Sequence, residues 1–400
     1  MSPSPPKLSK RSSDPLIEKI TEIGDTLHGC GCAPYKLEKY VRHYAKKHGI
    51  GVIVQATPTS INYHFPDADR PLVVKELKPA TMNLGLLANT IIRLDGAEGA
   101  RAPKSVSYRP WQVMVANVFI PPSFLILVGS SVPAIATAFA LGFLVWVCQI
   151  VCGGERAIVL EFLSAFVVGV VVSSVGSFGV DLPLWGLCIA AIILFVPGLS
   201  IANSLECLAF NDLISGTTLL AQSLLVLMKL FIGIYLGLSV GEAAWGPVAS
   251  APNISDVPDF LPYLALPVVS LCVGVTFNAR PVDIVYAFPT TILGMWGPLY
   301  LGFGGNLIVG TWVTSVLITL YGTWLAKRLR LTGAIYIVQG IIVLVPGSRV
   351  LMGASQSLFD ESLMPIPSIG LSAVYMFSAI VTGQITAYAM YSQKNRDLAS

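Results

Sequence analysis

The sequence predicts an all-α polytopic membrane protein. Ten transmembrane helices are expected, as two inverted five-helix repeats, behind a small soluble α+β N-terminal domain. Three observations predict this: charge is unevenly distributed, ten apolar segments reach spanning length, and one offset maps the first five segments onto the last five. The expected parts are a disordered tail over 1–13, a cytoplasmic domain over 14–110, a first repeat over 111–241 and a second over 242–400.

Mean hydropathy is +0.72 and only 12% of residues are charged, against about 25% in an ordinary soluble domain. Residues 1–110 carry 16 basic and 10 acidic side chains, and the other 290 residues carry 9 and 12. That contrast describes a soluble segment joined to a membrane segment. A net charge of +3 with no basic stripe gives no footing for nucleic acid. The first fifteen residues hold Pro3, Pro5 and Pro6 but no apolar core, which is unlike a secretory signal. The seven cysteines suggest no disulfide framework, and Cys30-x-Cys32 beside His28 lacks zinc spacing, so neither metal nor cofactor is expected.

In the soluble part, Asp14-Pro15 starts a helix with an apolar stripe of Leu16, Ile17, Ile20, Ile23 and Leu27. Pro34 starts a second helix that Gly49 stops. Strands are expected at 51–55, 60–65 and 72–77, with a turn at Thr57-Pro58-Thr59, and a helix at 82–94. No G-x-S-x-G, H-E-x-x-H or phosphate loop is present, and the four histidines form no catalytic set, so an enzyme is not expected.

A span needs roughly 20 mostly apolar residues. Ten candidates lie at 112–129, 132–152, 158–177, 184–205, 217–240, 260–277, 284–302, 306–326, 333–354 and 367–391. With both termini cytoplasmic, the inner loops and tail carry Arg156, Arg280, Lys327, Arg328, Lys394 and Arg396. The five outer loops carry no Lys or Arg. That is the positive-inside pattern, and one span more or fewer would invert it. Asn253-Ile254-Ser255, a glycosylation sequon, falls in an outer loop.

Span four contains Val196-Pro197-Gly198 and span nine contains Val345-Pro346-Gly347, 149 residues apart (346 − 197). The same offset carries spans one, two, three and five close to spans six, seven, eight and ten. Five is odd, so the halves face opposite ways, a build common among secondary transporters. Proline removes a helix hydrogen bond and glycine eases an unwound turn. Each Pro-Gly span is therefore expected to be two half-helices. The carbonyl of Ile193 would be freed for a cation, and the second half-helix would offer its N-terminus to a carboxylate, with Ser200 or Ser348 as cap. An amino acid carries both charges. The expected substrate site is Pro197, Gly198, Ser200, Asn203, Pro346, Gly347, Ser348 and Arg349, with Arg349 facing a carboxylate. Charges inside spans are costly and mark function. Glu206 or Asp212 is the candidate for proton coupling, Lys229 is a counter-ion for Glu206, and Glu161 snorkels from the inner end of its span.

The residues resemble the threonine/serine exporter family, including its fungal branch related to pheromone-regulated multispanning membrane proteins. In the soluble part the resemblance rests on Gly31-Cys32-Ala33-Pro34 leading to Glu38, then His48-Gly49-Ile50 and Thr57-Pro58-Thr59-Ser60-Ile61. In the membrane part it rests on Val196-Pro197-Gly198 with Asn203, on Ser215-Gly216 and on Leu344-Val345-Pro346-Gly347. It implies a ten-span, proton-driven exporter of small hydroxy amino acids. Its partners would be the lipid bilayer, a small zwitterion and protons, in the plasma membrane or a vacuole-type membrane. The other class considered is a non-transporting membrane scaffold or cell-fusion factor.

Overall fold

A computed structural model describes residues 15–66, 72–78, 80–94, 107–152, 159–248, 250, 256–303, 306–329, 331–344 and 367–393. The chain forms two compact units, Met1–Lys104 and Ser105–Ser400. Asp14 and the Asn253 sequon lie outside the described residues.

In the first unit, helices α1 (Pro15–Gly29), α2 (Pro34–Lys47) and α3 (Leu84–Leu94) accompany strands β1 (Ile53–Ala56), β2 (Ser60–His64) and β3 (Leu72–Glu76). The strands form one antiparallel sheet in the order β1-β2-β3, with Val54 opposite Tyr63 and Ile61 opposite Lys75. Pro34 opens α2 because its missing N–H is not needed there, and Gly49 follows the C-cap His48 at φ +75. Ile20, Leu27, Leu37, Val41, Ile61 and Tyr63 close the core.

The motif residues of this unit have structural work. Glu38 accepts from the Ala56 N–H at 3.0 Å and from Arg42 at 2.6 Å, which ties α2 to β1. Thr57 Oγ1 meets Ser60 through the backbone N–H and the carbonyl, both at 3.0 Å, and this sets the β1–β2 turn. Cys30 is fully buried, and burial pushes its thiol up to about 12, so it packs as a protonated apolar group. His28 is also buried, against the Lys78 carbonyl at 3.0 Å. Among the described residues no three His, Cys, Asp or Glu side chains converge on one point.

The second unit is helical: α4 (Pro110–Leu127), α5 (Val132–Val151), α6 (Leu160–Ser177), α7 (Leu184–Ala191), α8 (Gly198–Ala209), α9 (Leu213–Trp245), α10 (Leu261–Thr276), α11 (Pro281–Tyr300), α12 (Leu307–Leu329), α13 (Ala334–Leu344) and α14 (Pro367–Gln393). Five of these, α4, α5, α6, α9 and α12, are long and apolar enough to cross a membrane, and α7 with α8 makes a sixth if that bent pair is one span. Their outward faces carry Phe143, Ile150, Leu224, Leu225 and Met228, each about half exposed or more. An apolar perimeter suits lipid and would be unstable in water. The protein is an integral multi-pass membrane protein by this composition.

Close helix crossings depend on glycine. Against α6, a Cβ on Gly237 would sit 2.3 Å from the Phe166 carbonyl oxygen, and one on Gly233 would sit 2.7 Å from that of Phe162. Gly233, Gly237 and Gly241 recur every fourth residue on α9, which lets the two backbones touch. On α14, a Cβ at Gly383 would lie 2.8 Å from the Trp312 carbonyl oxygen of α12. Elsewhere α4 packs along α10, and Ala202 of α8 shares a buried cluster with Ile318, Ile337, Ile341 and Ile380.

Candidate functional site

The chain breaks where Pro197-Gly198 stands. α7 ends at Ala191, a 3-10 turn covers Ile193–Phe195, and α8 begins at Gly198. The two helical parts are bent by 61°. Val196 is extended at φ −64, ψ 117, and Pro197 at φ −80, ψ 41 is the N-cap. The Val196 N–H reaches Ile193 O at 3.2 Å, and the Gly198 N–H turns back to Val196 O at 2.8 Å. Two expectations change here. Ile193 O is not freed by Pro197, because the tighter 3-10 turn gives it the Val196 donor. It is Leu194 that loses its helical donor, since Gly198 has turned to Val196. Ser200 is not the cap: Pro197 holds that position without a side-chain bond, and Ser200 is exposed within the first turn.

Gly198 and Glu206 are buried, and Asn203 is half-buried. Asp212 is the N-cap of α9, where its Oδ1 accepts from the Ser215 N–H at 3.2 Å, and its Oδ2 is buried without a hydrogen-bond partner among the described residues. Before it, Asn211 at φ +63 closes α8, with the Asp212 N–H reaching Cys207 O at 2.9 Å. Lys229 forms an ion pair with Glu161 of α6, at 3.0 Å. This pair ties Glu161 to α9 and places Lys229 level with the first turn of α6. Pro346, Gly347, Ser348 and Arg349 lie outside the described residues.

A second polar system, which the sequence pattern did not point to, runs through α10, α11 and α13. Arg280 donates to both oxygens of Asp283, at 2.5 and 2.9 Å, and Asp283 is 1% exposed. Tyr336 donates its hydroxyl to Asp283 at 3.1 Å, and Thr290 donates to the Tyr336 carbonyl at 2.9 Å. One turn further along α13, Gln339 Oε1 accepts from Ser270 at 3.1 Å, and Ser270 accepts from Thr291 at 3.4 Å. The sequence signal for Gln339 is present but faint: it is the only amide in the apolar run Ala334–Leu344. Asp283 is masked in the sequence by standing among loop charges beside Arg280.

One apolar cluster joins this system to the break. Ile193 and Leu194 of the break and Ile342 of α13 each pack against one cluster, formed by Ala116, Ile120, Val269, Cys272 and Val273. Ile342 lies three residues past Gln339, on the same side of α13.

A helical bundle with a lipid-suited perimeter, a bent apolar segment and a buried polar core is the build of a multi-pass transport protein. Residues 102–241 match the ThrE family model, described as "Putative threonine/serine exporter". That segment is about a third of the chain, running from before α4 into α9, so the resemblance to the exporter family is shown there. No curated protein and no solved structure matches the chain.

Proposed function

We propose that this protein is a secondary transporter that exports small hydroxy amino acids of the threonine and serine type, coupled to protons. The observation that carries this reading is the 61° break at Pro197-Gly198, inside the segment that matches the exporter family. The N-terminus of α8 faces a substrate carboxylate, and the unwound turn before it meets the ammonium. Asn203 and Ser200 lie along the first turns of α8, and buried Glu206 is the proton-coupling candidate. Arg349, with Pro346, Gly347 and Ser348, completes the site from the second half. Asp212 acts through the α8–α9 connection it caps.

The reading includes ten crossings in two inverted halves, 111–241 and 242–400, with both termini cytoplasmic. Several observations support it. The described helices include one at each expected span position, although α10 (16 residues) and α13 (11 residues) are short. Gly233 approaches Phe162 O and Ala165 Cβ, while Gly383 approaches Trp312 O and Ser315 Cβ. All three positions are related by 150 residues (383 − 233, 312 − 162 and 315 − 165). α4 and α10, equivalent under the offset, lie against each other as helices astride a two-fold axis do. The family model itself covers one set, α4 to α9.

The test is flux of labelled threonine in proteoliposomes, with and without an imposed pH gradient. Saturable flux that rises with the gradient is expected. Saturable flux that ignores the gradient would remove the coupling and keep the transport. Absence of flux for threonine, serine and other small amino acids would overturn the reading.

A further inference from the structure

We propose that Gln339, held in place by Ser270 and Thr291, is the subsite for a neutral hydroxyl group on the transported solute. The assignment rests on the transport reading and adds what reads the side chain. Nothing in the family match reaches these residues, which lie beyond position 241.

Gln339 is 1% exposed, Ser270 3% and Thr291 0%. Their hydroxyl protons run in one direction, from Thr291 to Ser270 and from Ser270 to the Gln339 carbonyl oxygen. That fixes the amide plane and leaves Nε2 as the free end. Gln339 Nε2 is fully buried and has no hydrogen-bond partner among the described residues. A buried donor left unpaired is costly, and such groups mark places where a further partner belongs. The amide shares its side of α13 with Ile342, which packs into the cluster that also holds Ile193 and Leu194 of the break. Through Ile342, the helix that carries the open amide shares an apolar cluster with the unwound turn where the solute's charged ends would be held.

The chemistry selects the group. Gln339, Ser270 and Thr291 are uncharged, and the ion pair on the same helices, Arg280 with Asp283, is internally compensated. A carboxylate or ammonium here would bring an unbalanced charge into a low-dielectric interior. A hydroxyl brings none, and it can both accept and donate, so it satisfies the amide in either orientation. A site that hydrogen-bonds a substrate hydroxyl rejects the analogue lacking it, because the site's own polar group is then stranded.

Threonine and valine have nearly the same shape and differ by hydroxyl against methyl. Purified full-length protein in proteoliposomes would take up labelled threonine against unlabelled threonine or valine as competitor. Wild type is expected to prefer threonine by roughly 10- to 100-fold. In Gln339→Met, of similar volume, the preference should collapse towards one, with valine competing better than before. Ser270→Ala, which releases the amide plane, should lower it part of the way, and it decides the matter if the methionine variant does not fold. An unchanged threonine preference in the variants, or no preference in wild type, overturns the assignment while transport stands. A wild type that moves neither amino acid overturns the transport reading and this assignment together.

Discussion

Under the proposed 149-residue repeat, α7 and α13 fall at equivalent places, yet they are built for different tasks. Leu187 of α7 corresponds to Tyr336 of α13 (187 + 149), and Ala190 corresponds to Gln339 (190 + 149). α7 is apolar throughout, with Leu187, Cys188, Ile189 and Ala190 fully buried in one cluster. α13 uses the same positions to reach Asp283 and Ser270. The first segment supplies a packed wall and a bend. The second supplies a hydroxyl that donates to Asp283 and an amide that accepts from Ser270. In a proposed duplicated scaffold, recognition would reside in the residues that break the symmetry, because those shared by both halves are tied up in packing.

The largest expected effect of breaking this contrast is at Asp283. Asp283→Ala leaves the Arg280 guanidinium and the Tyr336 hydroxyl without their acceptor. Losing one partner of a buried pair costs about 3–5 kcal/mol; Arg280 keeps some solvent access, so the low end is expected. The equivalent of Asp283 under the proposed repeat is buried Ala134 (283 − 149), so that position of the first half carries no charge to remove. Thermal unfolding in detergent would check it. A change under about 1 kcal/mol would mean that the α11–α13 polar contact does not hold the second half together.

A smaller effect separates the two close crossings. Gly237 packs against the Phe166 backbone, and its equivalent under the 150-residue relation is buried Ala387 (237 + 150). Gly237→Ala must push α6 and α9 apart, at a cost of about 1–3 kcal/mol. Ala387→Gly should cost about 1–2 kcal/mol, through lost packing and helix propensity together. Unfolding of Gly237→Ala at the wild-type temperature, read from the same experiment, would remove the claim that the α6 and α9 backbones touch at Gly237.

Much of the framework is legible in the amino-acid sequence. Low charge after residue 110 marks the membrane segment, Pro34 and Gly49 delimit α2, and Pro197-Gly198 locates the bend, because each acts through local backbone chemistry. The α9 glycines carry an equally local signal, a small residue at every fourth position, whose meaning becomes plain only beside α6. Other features depend on contacts between distant residues. Ser270 and Gln339 are 69 residues apart and Asp283 and Tyr336 are 53 apart, so their partnership exists only after helices pack. Ser200 is the wrong N-cap because, although a serine is the usual cap, Pro197 takes a backbone conformation that lets Gly198 enter the helix directly. Lys229 and Glu161 are 68 residues apart, so their ion pair too exists only after α9 packs against α6.

The central claim is that the Pro197 break makes the transport site. Counterflow of labelled threonine into threonine-loaded proteoliposomes, wild type beside Pro197→Ala, tests it most directly. The alanine restores an N–H that can close on Ile193 and straighten the 61° bend. Saturable counterflow in wild type, falling at least about ten-fold in Pro197→Ala while the protein stays folded, is the expected result; ten-fold corresponds to about 1.4 kcal/mol of lost binding. Wild-type counterflow in the straightened variant would contradict it.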